Sequence, residues 1–223
     1  MIEYLIFVPL GYLLGAIPFG YIAGKLFGGV DVRDHGSGSI GMTNVMRTVS
    51  PPVAFVVLAL DMSKAAGAVV LARVITDAPM VETLTGIAAI TGHSWSVFIG
   101  FSGGKGTATG WGGLFALSPI AGIVASVIGV GLVALTRYVS LGSMVAATLG
   151  SLTLAAIALV SDSVPWEYAL YGAVGAPIIL FKHRDNIQRL IRGEERKLGQ
   201  KVDTVPESTD TQGEKGLRWP RSA

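Results

Sequence analysis

Apolar residues occur along the chain in six long runs that are separated by polar segments. The runs cover residues 2–24, 52–72, 80–100, 108–136, 140–160 and 166–181. Most have about the 20 residues that a helix needs to cross the hydrocarbon core of a bilayer. The fourth run is too long for one simple span and contains Ser118-Pro119, where a helix is expected to break. The pattern predicts an all-α integral membrane protein with about seven transmembrane helices, some of them short or broken.

The composition supports a membrane protein. Of the 223 residues, 51% are hydrophobic and 14% are charged, whereas a soluble domain carries about 25% charged residues. The chain has no cysteine, which excludes disulfides, zinc–thiolate sites and thiol nucleophiles. The first run begins with Met-Ile-Glu and is too long for a cleaved signal, so we interpret it as a retained helix. We expect residues 1–201 to form one polytopic membrane domain and the polar residues 202–223 to be a disordered cytoplasmic tail.

The distribution of Lys and Arg predicts the orientation. Residues 182–201 hold seven Lys/Arg and three Asp/Glu and follow the last apolar run, as expected on a cytoplasmic face. The loop at 161–165 has no cation and is therefore placed outside. If the fourth run crosses the membrane twice and every other run crosses once, the N-terminus is outside and the C-terminus is in the cytoplasm. Residues 25–50 and the glycine–lysine loop at 103–106 then also face the cytoplasm. Arg73 falls on the outer side, against this bias.

Three polar islands lie on the predicted cytoplasmic side. The first island is RDHGSGSIGMTNVMR, residues 33–47, in which glycines alternate with hydroxyl and amide side chains. Its Ser37, Thr43 and Asn44, together with the cation of Arg47, are suited to binding a phosphate group. Alternatively, the segment is a flexible loop that caps the next helix, since Ser, Thr and Asn are common N-cap residues.

The second island is GHSWSVFIGFSGGKGTATG, residues 92–110. It is not a Walker phosphate loop, because Ile99 stands where the first glycine is required and Gly106 stands where Ser or Thr is required. Backbone amides of neighbouring glycines can still converge on a phosphate beside the cation of Lys105. The glycines that we predict to do so are Gly103, Gly104 and Gly106.

The third island is FKHRDNIQRLIRGEERK, residues 181–197. On a helix, His183 and Asn186 fall near one face and the arginines follow another. Taken alone, the segment is an ordinary amphipathic helix whose arginines meet anionic lipid. Taken together, however, all three islands combine cations with hydroxyls, amides or glycine backbone on one predicted side, which favours a phosphate site. No island contains paired carboxylates at metal-ligand spacing, so we expect no metal.

Two charged residues lie inside an apolar run. Ionisable groups at the centre of a membrane span cost about 2.5–3.5 kcal/mol, so they usually pair or serve a function. Asp61 and Lys64 are three positions apart and can meet on one helix face. We interpret them as an internal pair that supports the site. His93 is interpreted in the same way, since a lone histidine is more often a structural hydrogen-bonding group than a catalyst.

The segments GSGSIGMTNVMR, GHSWSVFIGFSGGKGTAT and HRDNIQRLIRGEERK resemble, in order and spacing, the three signature motifs of the bacterial acyl-phosphate:glycerol-3-phosphate acyltransferase family. The resemblance extends from about Gly11 to Lys197, with RYVSLGSM at 137–144 as a secondary feature. It implies a seven-helix enzyme of the bacterial inner membrane, with its active site on the cytoplasmic side. Such an enzyme transfers a fatty acyl group from acyl phosphate to the 1-hydroxyl of sn-glycerol 3-phosphate and releases phosphate, the first acylation step of phospholipid synthesis.

The resemblance also implies residue roles. Arg47, Lys105 and His183 are the expected catalytic residues, and Ser143 is an expected substrate contact. His183 and Asn186 are expected to hold glycerol 3-phosphate, and either His183 or a substrate phosphate takes the proton of the hydroxyl. The expected partners are acyl phosphate, glycerol 3-phosphate and membrane lipid. We expect no cofactor, no metal and no nucleic acid.

The chain departs from the family pattern at a few positions. Ser39 and Met42 stand where the first motif usually has Asn and Ala, and Ser96 stands where the second usually has Pro. These changes leave open the shape of the first loop and the substrate preference.

A transporter or channel for a phosphate-bearing solute is the alternative function, because such proteins also use broken helices and glycine-rich anion sites. It predicts solute flux without chemical change. The acyltransferases with a His-x4-Asp motif are excluded, because no histidine of this chain has Asp at that spacing.

Overall fold

The structure, a computed structural model, describes residues 1–200, and the tail predicted at 202–223 lies outside the described residues. Within this part the chain forms ten α-helices, a π-helical turn at Gly24–Gly28 and a 3-10 turn at Val97–Ile99. The helices are α1 Ile2–Ala16, α2 Phe19–Ala23, α3 Met42–Thr48, α4 Pro51–Thr76, α5 Pro79–Ser94, α6 Thr107–Leu117, α7 Pro119–Thr136, α8 Val139–Val160, α9 Tyr168–Lys182 and α10 Arg184–Ile191. The all-α class predicted from the sequence is confirmed for these residues.

Four stretches of the described chain are long and apolar enough to cross a membrane. They are Ile2–Gly28, Pro51–Thr76, Pro119–Thr136 and Val139–Val160. The remaining apolar helices, α5, α6 and α9, have 16, 11 and 15 residues, fewer than the roughly 20 that a perpendicular crossing needs. The structure is that of a multi-pass membrane protein, whereas seven crossings and the orientation of the termini stay predictions.

Prolines mark where several helices begin. Pro51, Pro79 and Pro119 occupy the first turns of α4, α5 and α7, where the missing N–H is not needed. The predicted break of the fourth apolar run is confirmed, since α6 ends at Leu117 and α7 begins at Pro119. Between them, the Oγ of Ser118 accepts a hydrogen bond from the amide of Ala121 at 3.4 Å and caps α7.

Close packing of α1 against α5 fixes the position of the second island. A Cβ at Gly15 would collide with the backbone of Ala89, so only glycine allows this approach. Where α5 ends, the hydroxyl of Tyr12 donates to the carbonyl of Trp95 at 2.7 Å, and the Oγ of Ser96 donates to the carbonyl of Ala16 at 2.5 Å. The start of the loop after α5 is therefore tied to the end of α1.

A charged cluster joins three helices at the end of the bundle away from the islands. Arg73 of α4 lies 2.7 Å from the carboxylate of Glu82 in α5, and the hydroxyl of Tyr168 in α9 donates to the same carboxylate at 2.6 Å. The Glu82 side chain is only 2% exposed. Arg73, the cation that falls on the predicted outer side, is thus part of the contacts that join these helices.

Candidate active site

The three islands meet at one cavity of about 600 Å³. Its polar lining includes most of the predicted site residues, namely Ser37, Thr43, Asn44, Arg47, Lys105, Gly106, Ser143, His183 and Asn186. Its apolar lining comes from α4, α6, α7, α8 and α9, and includes Phe55, Leu58, Leu114, Val130, Val133, Ala147 and Ala176. The cavity thus joins a cationic polar region to an apolar region inside the helix bundle.

The first island is folded around one buried amide. Asn44 is 1% exposed, and its Oδ1 accepts from the amide of Ser37 at 2.8 Å. Its Nδ2 donates to the carbonyls of Val32 at 2.7 Å and His35 at 3.1 Å. These polar atoms therefore hold the loop, and a contact of Asn44 with substrate stays a prediction. Gly36, at φ 62°, makes the turn, and a Cβ there would collide with Asn44 Oδ1.

This loop places the side chain of Arg47 at the cavity. Arg47 lies in the last turn of α3 and lines the cavity together with Ser37 and Thr43. Burial, and then the positive charge of Arg196, lower the pKa of the Arg47 guanidinium, but an arginine stays charged at neutral pH. The first island therefore contributes a fixed positive charge and two hydroxyl groups to the polar region.

The second island contributes Lys105 and the start of α6. A short hairpin, closed by the bridge between Ser96 and Ser102, leads into the glycine–lysine loop. Lys105 Nζ donates to the Oδ1 of Asn186 at 2.6 Å, which joins the second island to the third. Burial, with the charges of Arg189 and Arg47, lowers the pKa of Lys105 to about 8, although the nearby Glu195 opposes this shift.

Only part of the predicted glycine cradle faces the cavity. Gly106, at φ 78°, lines it and begins α6, whose first turn has no side-chain cap. The Gly104 amide, which is predicted to hold a phosphate, donates in this structure to the carbonyl of His93 at 3.0 Å. Gly103 packs against the backbone of His93 and Ser94 and is not part of the described cavity lining.

The third island positions His183 and Asn186 where α9 passes into α10. His183 is 2% exposed, and its Nδ1 lies 2.8 Å from the carbonyl of Ile179. Because a carbonyl only accepts, we assign the ring proton to Nδ1, which leaves Nε2 as an acceptor. Burial, and then the charge of Lys105, lower the pKa of His183 to about 4. His183 is therefore neutral at pH 7.

Sequence reasoning missed Glu195, whose carboxylate lies at the centre of the polar region. It accepts from the Oγ of Ser140 at 2.7 Å, the Nδ2 of Asn186 at 2.7 Å and the Nε of Arg189 at 2.8 Å. Burial alone would raise the pKa of Glu195, but these three hydrogen bonds outweigh it and the pKa is lowered. The sequence feature that could have indicated this position of Glu195 is the glycine at 193. In the structure Gly193 has φ 72° and turns the chain back after α10.

The predicted pair beneath the site is present. Lys64 Nζ lies 2.9 Å from Asp61 Oδ1, and both side chains are almost completely buried. His93 joins them, with its Nδ1 2.8 Å from Lys64 Nζ. Asp61 and His93 also line the cavity. The geometry of the pair is confirmed, and its supporting role stays a prediction. Among residues 1–200 no group of three potential metal ligands occurs.

Residues 5–193 match the family model of glycerol-3-phosphate acyltransferases. The chain belongs to the glycerol-3-phosphate acyltransferase family. It is 43% identical over 190 residues to a glycerol-3-phosphate acyltransferase of Desulforudis audaxviator, covering 85% of this chain and 93% of that one. It is also 43% identical over 198 residues to one of Halalkalibacterium halodurans, covering 87% of this chain and 95% of that one.

Solved structures of a glycerol-3-phosphate acyltransferase share the fold. The crystal structure of PlsY (YgiH), an integral membrane glycerol 3-phosphate acyltransferase, in its glycerol 3-phosphate form, superposes with a TM-score of 0.81 at 36% identity. The match covers 88% of this chain and 96% of that one. The lysophosphatidic acid form of the same protein gives a TM-score of 0.79 at 36% identity, over 87% of this chain and 94% of that one. The family match includes the first two islands and most of the third, and it ends before Glu195.

Proposed function

We propose that this chain transfers a fatty acyl group from acyl phosphate to the 1-hydroxyl of sn-glycerol 3-phosphate, and that the products are 1-acyl-glycerol 3-phosphate and inorganic phosphate. The observation that carries the proposal is the cavity, in which cations and hydroxyls of three separate islands adjoin an apolar region. A phosphate group suits the first region and a fatty acyl chain suits the second. The relatives' names support the acyltransferase class and do not specify the donor.

The apolar region has access to the surrounding lipid. Phe55 of α4 and Val130 of α7 both line the cavity, and they are 57% and 59% exposed. Helix α6, which has only 11 residues, lies in the bundle beside both helices. An acyl chain can therefore reach the cavity laterally between α4 and α7, while glycerol 3-phosphate enters from water at the polar region.

The chemistry needs no covalent enzyme intermediate, because phosphate is a competent leaving group. The 1-hydroxyl oxygen attacks the acyl carbonyl carbon, the carbon–oxygen bond to phosphate breaks, and the phosphate leaves with the electron pair. Arg47 and Lys105 bind phosphate oxygens and offset the negative charge that develops on them. The amide of Gly106, at the start of α6, is suited to the same charge. Ser37, Thr43 and Ser143 supply hydroxyl contacts.

The hydroxyl proton has two possible acceptors, His183 Nε2 and a substrate phosphate. The second ionisation of a phosphate ester has a pKa near 6, whereas the pKa of His183 is about 4. Because His183 is such a weak base, we assign the proton to a substrate phosphate. His183 then serves to position glycerol 3-phosphate for attack, while Asn186 and Lys105 hold the other end of this substrate.

We place the site on the cytoplasmic face of a bacterial inner membrane. The cations of all three islands surround the cavity, and Arg196 Nη1 donates to the carbonyl of Gly36 at 3.2 Å, so the first and third islands lie on the same side. Arg73 lies at the opposite end of α4 and is paired with Glu82. Lys and Arg concentrate on the cytoplasmic side of membrane proteins, which favours this orientation.

The decisive experiment offers the purified protein two donors. Palmitoyl phosphate and labelled glycerol 3-phosphate, without coenzyme A, should give labelled lysophosphatidic acid and an equal amount of phosphate. Palmitoyl coenzyme A in place of palmitoyl phosphate should give no product. Product from the thioester alone would refute the proposed donor, and uptake of unmodified glycerol 3-phosphate into proteoliposomes would favour the transporter.

A further inference from the structure

A buried charged cluster lies directly beneath the glycine–lysine loop. Lys64 Nζ has three partners: Asp61 Oδ1 at 2.9 Å, His93 Nδ1 at 2.8 Å and the carbonyl of Ile17 at 3.1 Å. The Lys64 and His93 side chains are each 3% exposed. Since an ammonium only donates, His93 Nδ1 is the acceptor and its ring proton is on Nε2. The imidazole is thus fixed on its Nδ1 side by Lys64, which is held in turn by Asp61 and the end of α1.

The other side of this imidazole is in contact with Gly104. A Cβ at position 104 would collide with His93 Nε2 and would lie 2.9 Å from Cε1 and 3.0 Å from Cδ2. The carbonyl of His93 also accepts the Gly104 amide at 3.0 Å. Gly104 does not have a left-handed φ, so backbone conformation does not require glycine there. The ring of His93 is what leaves no space for a side chain.

We propose that His93 is a positioning residue for Lys105, acting through Gly104, and that Asp61 and Lys64 hold His93 in place for this purpose. The inference rests on the proposed function, in which Lys105 binds phosphate. Lys105 directly follows Gly104 in the chain, and its Nζ lies 2.6 Å from Asn186 Oδ1. A shift of the loop away from the ring therefore moves the ammonium relative to Asn186. Misplacement of a reacting or binding group by about 1 Å can lower a rate by about 100-fold.

The test pairs a substitution in the loop with a matching substitution in the ring. Gly104→Ala adds the Cβ that collides with His93, and we expect kcat/KM to fall about 100-fold. His93→Asn keeps an acceptor for Lys64 but removes Cε1 and Nε2, the atoms nearest the added methyl. The double variant Gly104→Ala/His93→Asn should therefore be at least about tenfold more active than Gly104→Ala. If the two substitutions acted independently, their losses of activity would multiply and the double variant would be less active than Gly104→Ala.

The control is Gly67→Ala, which adds the same methyl to α4 within one turn of Lys64. A Cβ there would meet no atom within 4 Å, so activity should be unchanged. Melting temperature in detergent is measured for every variant. The positioning role requires that Gly104→Ala lose activity while it is still fully folded at the assay temperature, even though the added methyl lowers its melting temperature. A loss of activity that only follows the loss of folded protein at the assay temperature would make His93 a purely structural group and overturn the inference.

A second readout separates this inference from the proposed function. Labelled glycerol 3-phosphate is bound to each purified variant without any acyl donor. We expect Gly104→Ala to weaken binding and the added His93→Asn substitution to restore it. Equal binding by Gly104→Ala and the double variant, or a double variant no more active than Gly104→Ala, would overturn the positioning role. A wild-type protein that binds glycerol 3-phosphate but does not use acyl phosphate would instead refute the donor.

Discussion

The charge state of Lys105 should control how the activity depends on pH. Burial and the charges of Arg189 and Arg47 lower the pKa of Lys105 to about 8, in spite of Glu195. At this pKa the ammonium is about nine-tenths charged at pH 7 and about one-tenth charged at pH 9. Only the charged form attracts a phosphate. We therefore expect kcat/KM for glycerol 3-phosphate, which reports the free enzyme, to fall about tenfold between pH 7 and pH 9.

Other groups at the site should not contribute in this range. The pKa of His183 is lowered to about 4, so it stays neutral, and the pKa of Glu195 is lowered, so it stays ionised. A phosphate ester, with a second pKa near 6, is already about nine-tenths dianion at pH 7, so its ionisation cannot cause a fall in rate above pH 7. The descending limb should therefore belong to the lysine alone.

Lys105→Arg provides the matched control, because arginine keeps its charge well above pH 9. The variant should have lower overall activity, since its planar head group cannot reproduce the contact with Asn186, but its kcat/KM should be nearly flat from pH 7 to pH 9. Initial rates are measured at each pH and corrected for spontaneous hydrolysis of the acyl phosphate. A flat wild-type profile, or a parallel fall in wild type and Lys105→Arg, would refute the reasoning.

Three further variants test other parts of the structure. Arg47→Ala should lower kcat/KM about 100-fold or more, since it removes a cation that offsets developing charge, while the elution profile in detergent is unchanged; near-normal turnover would contradict the assignment. Glu195→Gln should weaken the partly exposed pair with Arg189 and destabilise the fold by about 1–2 kcal/mol, seen as a lower melting temperature; an unchanged melting temperature would argue against a stabilising role. Arg73→Met leaves the buried carboxylate of Glu82 without its cation and should cost about 2–3 kcal/mol, after allowance for the partial exposure of Arg73. Its activity at 25 °C should be preserved, and a selective loss of turnover would show that this distant cluster affects the cavity.

Local chemistry accounts for the parts of the fold that the sequence predicts well. Pro119 must begin a helix rather than continue one, so the break after α6 can be placed from two residues. Asp61 and Lys64 are three positions apart in an apolar run, so their contact follows from helix geometry and the cost of an isolated charge. Neither inference requires knowledge of how distant segments pack.

The contacts that the sequence did not predict concern residues whose chemistry permits two roles. An asparagine can bind a phosphate or hold a loop, and only the path of the backbone shows that Asn44 bonds to Val32, His35 and Ser37. A glycine can expose its amide or admit a neighbouring side chain, and the position of His93 shows that Gly104 does the second. Such choices depend on contacts between segments far apart in the chain, which periodicity and spacing do not describe.

The position of Glu195 shows why net charge was an inadequate guide to the third island. In a count of net charge, Glu195 only reduces the positive charge of this basic segment by one unit, so the count predicts no role for it. In the structure it accepts hydrogen bonds from Ser140, Asn186 and Arg189 at the centre of the cationic region. Cations brought together for phosphate repel one another when no phosphate is bound, and a carboxylate among them offsets that repulsion. In the proposed function, the same island therefore supplies both side chains that bind the substrate and a carboxylate that stabilises these side chains when no substrate is bound.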